Sequence, residues 1–402
     1  MNDRWDAVII GGGPAGGTAA LLLARAGWSV LLVERKAFPR RKVCGEYLSA
    51  TNWPLLEELG IAGDFERDAG PPVTHVGLFA GEDVVTSPLP RSAETDFRWG
   101  RAISRARLDA LLLERAVHAG AEVLQPWSVE YLRESDGGFQ LSARHAQTRE
   151  IAELSAKVVI LAHGSWEKSG LPSQHDRDAS KPTDLLAFKA HFQGGYLPKG
   201  LMPLLAFPGG YGGMVHGNSG QFSVSCCIRR VRLESIRREH PASAAGESVQ
   251  AHLAHTLRGF REALVGAERP EPWLSAGPIQ PGVRLKFKPG LFPIGNAAGE
   301  AHPVIAEGIS IAMQSAWLFA RQLIEWKQLG ERNADLANVR RRYASQWRRA
   351  FRLRLFASSA IAWWAENRLT IAGSLPFIRI MPSLLTCGAR LSGKVNRVVT
   401  TA

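Results

Sequence analysis

Gly11, Gly13 and Gly16 are spaced G-x-G-x-x-G. They follow an apolar run at residues 7–10 and open a small-residue stretch of helical character. A second apolar run, residues 30–33, ends on Glu34. Each type has a mechanical use. Gly11 permits a tight turn, Gly13 lets the backbone approach a pyrophosphate, and Gly16 lets the helix lie close to the strand. Pro14 and Ala15 begin that helix, whose free N–H groups and partial positive charge favour phosphate. Glu34 can accept hydrogen bonds from ribose hydroxyls. In a chain with 40 glycines the triple alone is a weak signal. The strand before it, the helix after it and the acid in place make it a dinucleotide site. The competing reading is a glycine-rich turn in some other α/β protein.

Residues 35–50 read RKAFPRRKVCGEYLSA, with five cations among the first eight. A loop leaving this strand end faces the ligand crevice of a doubly wound sheet. Arg35, Arg40, Arg41 and Lys42 are then candidates for phosphate or cofactor contact, against a reading as a solvated basic loop. Cys44, beside Gly45 and Glu46, has the chemistry of a redox or acid–base thiol; the alternative is a small buried residue.

Arg105 opens a helix of leucine periodicity that closes on Gly120. An arginine there can reach a pyrophosphate or stay on the surface. Residues 157–161, KVVIL, have the continuous apolar character of a parallel strand covered on both faces, followed by His163 and Gly164. Residues 290–314 hold the second informative stretch. Gly295, Asn296, Ala298 and Gly299 form a small-residue turn at a strand end. Pro303 and Gly308 bracket a loop, with His302 before it, and a long helix starts near Ile309. A turn feeding a helix N-terminus is a second anion-seeking site.

A hairpin at 73–86 and a Gly-, Pro- and aromatic-rich stretch at 194–224 predict antiparallel strands. These would floor a substrate cavity, with Phe207, Tyr211 and His216 as candidate substrate contacts. The fold class is α/β. Segments 1–72, 98–181 and 276–330 form a Rossmann-like domain; 73–97 and 182–275 form a β-sheet lobe; 331–402 is a basic helical C-terminal region.

At 402 residues and 45% apolar content the chain can bury a large core. The balance of 49 cations against 37 anions gives +12, a field that attracts anionic partners. No nucleic-acid-binding motif is visible, so nucleic acid is not an expected partner. Four cysteines without metal spacing point to a reducing compartment and no structural metal. The first strand starts too early for a signal peptide, and no apolar run reaches about 18 residues. A cytoplasmic protein is expected. Seven arginines fall between Arg340 and Arg354, interleaved with aromatics. This tail is read either as a basic helix with a solvated face or as a surface for an acidic carrier protein or an anionic membrane, which would make the protein peripheral.

These residues resemble a family: the FAD-dependent geranylgeranyl reductase-like branch of the superfamily that also holds p-hydroxybenzoate hydroxylase-type enzymes and flavin-dependent halogenases. The likeness runs from residue 6 to about residue 330. The glycine motif with Glu34 resembles the family's ADP-binding motif. KVCGEYLS at 42–49 is similar to its K-x-C-G-E segment beside the flavin. Arg105 with Leu108 and Asp109 resembles its arginine motif near the pyrophosphate. GNAAGEAHPVIAEGI resembles its G-D-x-x-G…P…G-E-G-I segment around ribityl, pyrophosphate and flavin ring. Asn296 and His163 stand where the family has Asp, so two negative charges near the cofactor are gone. The halogenase W-x-W-x-I-P segment and the isoprenoid reductases' Y-x-W-x-F-P pattern are absent.

The resemblance implies FAD, reduced by visiting NAD(P)H, since no second dinucleotide fingerprint exists. It implies an oxidoreductase transferring hydride to an apolar isoprenoid, acyl or polyketide-like substrate, with Cys44, Glu46 and His302 as candidate catalytic residues. The alternatives are an oxygen-dependent monooxygenase of an aromatic or polyketide-like compound, which His302-Pro303 favours, and a non-redox protein holding FAD structurally.

Overall fold

Residues 7–10 carry no polar side chain, and the strand they complete, Trp5–Ile10, is paired on both edges. In this computed structural model it runs parallel to Val30–Val33 on one side and to Ile151–Leu161 on the other. Val30–Val33 pairs parallel with Glu122–Leu124, and Leu291–Pro293 pairs parallel with the end of Ile151–Leu161. The description covers residues 4–90, 99–165, 180–218, 220–239, 241–285, 290–330, 333–394 and 398–399. The expected boundary at 97/98 lies outside them.

The run 157–161 is not a strand of its own. It is the second half of an eleven-residue strand whose first half pairs antiparallel with Gly138–His145. The residue pattern explains the split. Positions 151–156 alternate in burial, as one-sided strands do, while 158–161 are buried throughout. Helices Pro14–Arg25, Arg105–His118 and Gly308–Gln328 pack together over this sheet.

The second sheet has seven strands, in the order 274–279, 185–193, 221–229, 210–216, 201–207, 75–80, 83–88. The hairpin at 75–88 joins it by parallel pairing of His75–Ala80 with Leu201–Phe207. Alternation sorts its side chains. Phe188, Ala190 and Phe192 pack under helices Arg230–Glu239, Ala245–Thr256 and Arg258–Ala263. Ala187, Lys189 and His191 fall on the opposite face, which looks toward the first sheet's ligand edge.

The C-terminal region is not an appendage. Helix Asn333–Glu366 buries Val339, Tyr343, Trp347 and Phe351 in the first core, at a strict spacing of four, and Ala362 and Ala365 in the second. Its inner stripe therefore ties the two sheets together. Helices Arg368–Ile380 and Ser383–Leu391 then cover part of the second sheet.

Candidate functional site

The glycine fingerprint separates into two roles once its surroundings are known. A Cβ on Gly16 would meet the Gly11 carbonyl oxygen at 1.8 Å, so this glycine lets the helix touch the turn. Gly11 has φ of +107°, and its Cβ would lie 2.6 Å from the Ala162 oxygen. Gly13 is different. Its φ of −73° suits any residue, and only the Arg105 guanidinium, at 3.4 Å, would meet a Cβ there. The protein does not need glycine at 13; the space above it is open to a ligand.

That space is one end of a cavity of ≈ 500 Å³. Gly11, Gly13, Pro14, Ala15, Glu34, Arg35 and Gly164 line its near end, with Trp127, Ser128 and Val129 beside Glu34, whose carbonyl accepts from the Trp127 N–H at 2.8 Å. Glu34 accepts from the Gly12 N–H at 2.8 Å and the Lys36 N–H at 3.0 Å, which fixes its carboxylate on the wall. Lys42, Cys44, Arg105 and Asn296 follow along the cavity. Pro303, Gly308 and Ile309 present the start of the long helix to it. Neither this helix nor Pro14–Arg25 has a side-chain N-cap, so both offer free N–H groups.

Arg105 is aimed by a two-point pair with Asp109, at 2.8 and 2.7 Å, both side chains buried one helical turn apart. Burial alone would favour the neutral guanidine, but the Asp109 charge outweighs it and holds Arg105 protonated. The guanidinium also interacts with Cys44. Of the loop cations, Arg40 bonds Glu34 at 3.4 Å and lies over Phe38, while Arg41 turns away to Glu271 at 2.8 Å.

Cys44 sits where this loop crosses the second sheet. Its sulfur accepts from the Glu46 N–H at 3.4 Å. Glu46 has a left-handed φ of +63°, which costs a non-glycine residue of order 1–3 kcal/mol. Its side chain holds that conformation. One oxygen bonds the Lys189 ammonium and accepts from the Arg105 N–H at 3.3 Å; the other takes His191 Nε2 at 2.8 Å. Burial would raise the Glu46 carboxyl, but the His191 hydrogen bond and the Lys189 charge prevail and hold it below its usual 4.5. Sequence reading found Glu46 but missed Lys189 and His191. The signal was present: two polar residues at i and i+2 in an otherwise apolar strand, 185–193.

At the far end Tyr211 lines the cavity, and its hydroxyl lies 3.1 Å from His302 Nδ1. Burial keeps Tyr211 protonated and, with Arg229 nearby, lowers His302 to about 4. Because the native His302 binds its proton less readily than an unfolded one, its contribution to stability is complete above 6.5. It is lost as pH falls toward 4. Thermal melting followed from pH 7 to pH 4 is expected to fall, with a shallower slope in His302→Asn.

Several expected residues stand off the wall. Phe207 packs against His252, and His216 bonds the Leu197 carbonyl at 2.8 Å; alternation turned both inward, to the helix-covered core. Gly16, Gly295, Ala298 and Gly299 lie behind the lining residues. A Cβ on Gly295 would press on Ala15, and one on Gly299 on Trp347. Beside Asn296 stands a carboxyl that was not anticipated. Buried Glu300 accepts from the Asn296 amide at 2.8 Å and is raised by its burial. Lys394, also unanticipated, donates to the Ile305 carbonyl at 2.7 Å and to Glu307 at 3.2 Å, pinning the loop that carries Pro303.

A sequence family described as the FAD binding domain matches residues 4–346. The chain belongs to that family. It is 26% identical over 369 residues to digeranylgeranylglycerophospholipid reductase 1 of Methanopyrus kandleri, covering 87% of each chain. It is 26% identical over 420 residues to a menaquinone reductase of Mycolicibacterium smegmatis, covering 96% of this chain and 93% of that one. The fold superposes on the myxobacterial chondrochloren halogenase CndH with a TM-score of 0.75 at 21% identity, over 99% and 94% of the two chains. The protein is thus an FAD-dependent oxidoreductase of the flavoprotein superfamily that includes reductases and halogenases, and FAD is its cofactor.

Proposed function

We propose that this flavoprotein reduces an apolar, isoprenoid-like substrate, with NAD(P)H as the transient reductant. One observation carries the reading: beyond Cys44 the cavity continues between Met202, Leu204, Val215, Ile279, Trp364 and Ile378, a chamber walled largely by apolar side chains. The isoprenoid character is drawn from the two reductase relatives.

The cofactor-holding roles follow from chemistry and position. Gly11, Gly13, Pro14 and Ala15 would take the pyrophosphate at the helix N-terminus, with Arg105 as its cation. Glu34 would take the adenosine ribose, and Asn296, with the Glu300 carboxyl behind it, the ribityl hydroxyls. The N-terminus at Gly308 and Ile309 would face the flavin ring edge that gains charge on reduction. When bound, FAD carries two electrons between the reductant and the substrate.

The chain's own part is to position, exclude water and handle protons. Saturating a carbon–carbon double bond consumes one hydride and one proton. Cys44 Sγ is the candidate donor of that proton, because it faces the cavity where the loop meets the sheet. Glu46, Lys189 and His191 hold its backbone in place. Tyr211 closes the polar side of the chamber through His302.

The test is Cys44→Ser. The variant is expected to keep full FAD absorbance and reduction by NAD(P)H, and to lose at least about a hundredfold in substrate turnover, the low end of general-acid effects. Unchanged turnover would remove the thiol from the chemistry.

A further inference from the structure

We infer that helices Arg368–Ile380 and Ser383–Leu391 form a docking face for an anionic lipid bilayer. They have two apolar faces where a soluble helix has one. The inner face, with Ile371 and Ile378, is buried against the sheet lobe. The outer face carries Leu369 at 81% exposure, Phe377 at 68% and Ile380 at 84%. Residues 369, 377 and 380 recur at helical spacing, so they form a stripe rather than scattered contacts. Exposed apolar side chains taken singly need no explanation, but several large ones on one helix face mark an interaction surface.

Charge selects the occupant. From Asn367 to Ala402 the sequence holds no acidic residue, while Arg368 and Arg390 are exposed on these two helices. Large apolar groups flanked by arginines match the interface of an anionic membrane, where the first enter the acyl boundary and the second meet headgroups. An acidic carrier protein would be met by the cations but would leave the apolar stripe in water. Among the described residues no single helix is long and apolar enough to cross a membrane, but this pair passes together and is bent by 116°. A pair bent so sharply does not form one straight span.

The face is continuous with the cavity. Leu384 is 42% exposed and also lines the chamber, as Leu385 and Gly388 do from the same helix. Docking would thus lay the cavity mouth against lipid. Delivery of substrate by that route rests on the apolar-substrate reading; docking itself does not.

Co-sedimentation of the holoenzyme with vesicles tests docking without any substrate. Wild type is expected to pellet with phosphatidylcholine vesicles containing phosphatidylglycerol and to bind pure phosphatidylcholine more weakly, the difference shrinking as salt rises. Phe377→Glu/Ile380→Glu should lose at least about tenfold in partitioning, with FAD absorbance and melting temperature unchanged. Wild type remaining in the supernatant with both vesicles would overturn the inference. So would equal binding by the variant. Concentration-dependent dimerisation that the variant abolishes, without vesicle binding, would assign the face to a second copy instead.

Discussion

Gly13→Val is expected to abolish FAD binding while leaving the protein folded. The backbone at 13 is in an ordinary extended region, and a β-branched residue adopts it without strain. Around the would-be Cβ there is only the Arg105 guanidinium at 3.4 Å. The valine methyls therefore occupy cavity space, not protein space, at the point where we place the pyrophosphate against the backbone. Affinity should drop by at least about a thousandfold, or about 4 kcal/mol, read as apoprotein with native circular dichroism and no flavin absorbance. Gly16→Ala is the contrasting variant. Its Cβ would fall 1.8 Å from a carbonyl oxygen, so it should unfold the domain rather than only empty it. A yellow, stoichiometric Gly13→Val protein would contradict the site.

Glu46→Gln is expected to destabilise the protein strongly. Lys189 is 2% exposed, and its charge is matched by the Glu46 carboxylate. Neutralising one partner strands the other in the interior, which costs about 3–5 kcal/mol. The double variant Glu46→Gln/Lys189→Met removes both charges and should recover most of that loss. If the single variant is as stable as wild type, the pair is not the staple described. The pH dependence has a definite sign. The native carboxyl lies below its usual 4.5, so the unfolded chain takes up the proton first. The stabilisation is complete above pH 4.5 and disappears as pH falls below it through the native titration. Acid unfolding of Glu46→Gln should accordingly begin from a lower plateau and show a weaker dependence in that range.

The geometry of the end proposed for the phosphates was readable in the sequence because its requirements are local. A turn, a close packing and an acid at the next strand's end are set by residues within one strand–helix–strand unit, and Gly11, Gly16 and Glu34 show them. The Arg105 helix was equally legible from its leucines, though not the Asp109 pair that aims the guanidinium. The substrate side was less readable. Phe207 and His216 look like cavity residues by type, but the face of a strand depends on register. Register placed Tyr211 toward the cavity and the other two toward the helix-covered core. Lys189 and His191 come from a strand more than a hundred residues beyond Glu46, and only tertiary pairing brings the three together. Glu300 and Lys394 were hidden for the same reason: a buried polar residue in sequence looks like an exposed one. The long C-terminal helix was visible as basic and aromatic, but its inner stripe of four-residue spacing, which joins the two cores, was overshadowed by its arginines.

The most direct measurement mixes anaerobically NAD(P)H-reduced holoenzyme with a polyprenyl substrate, then separately with oxygen, following flavin absorbance in a stopped-flow instrument and product mass afterwards. The polyprenyl compound is expected to reoxidise the flavin faster than oxygen does and to gain two hydrogens at a double bond. Reoxidation by oxygen alone, with a product that has gained an oxygen atom, would contradict this expectation.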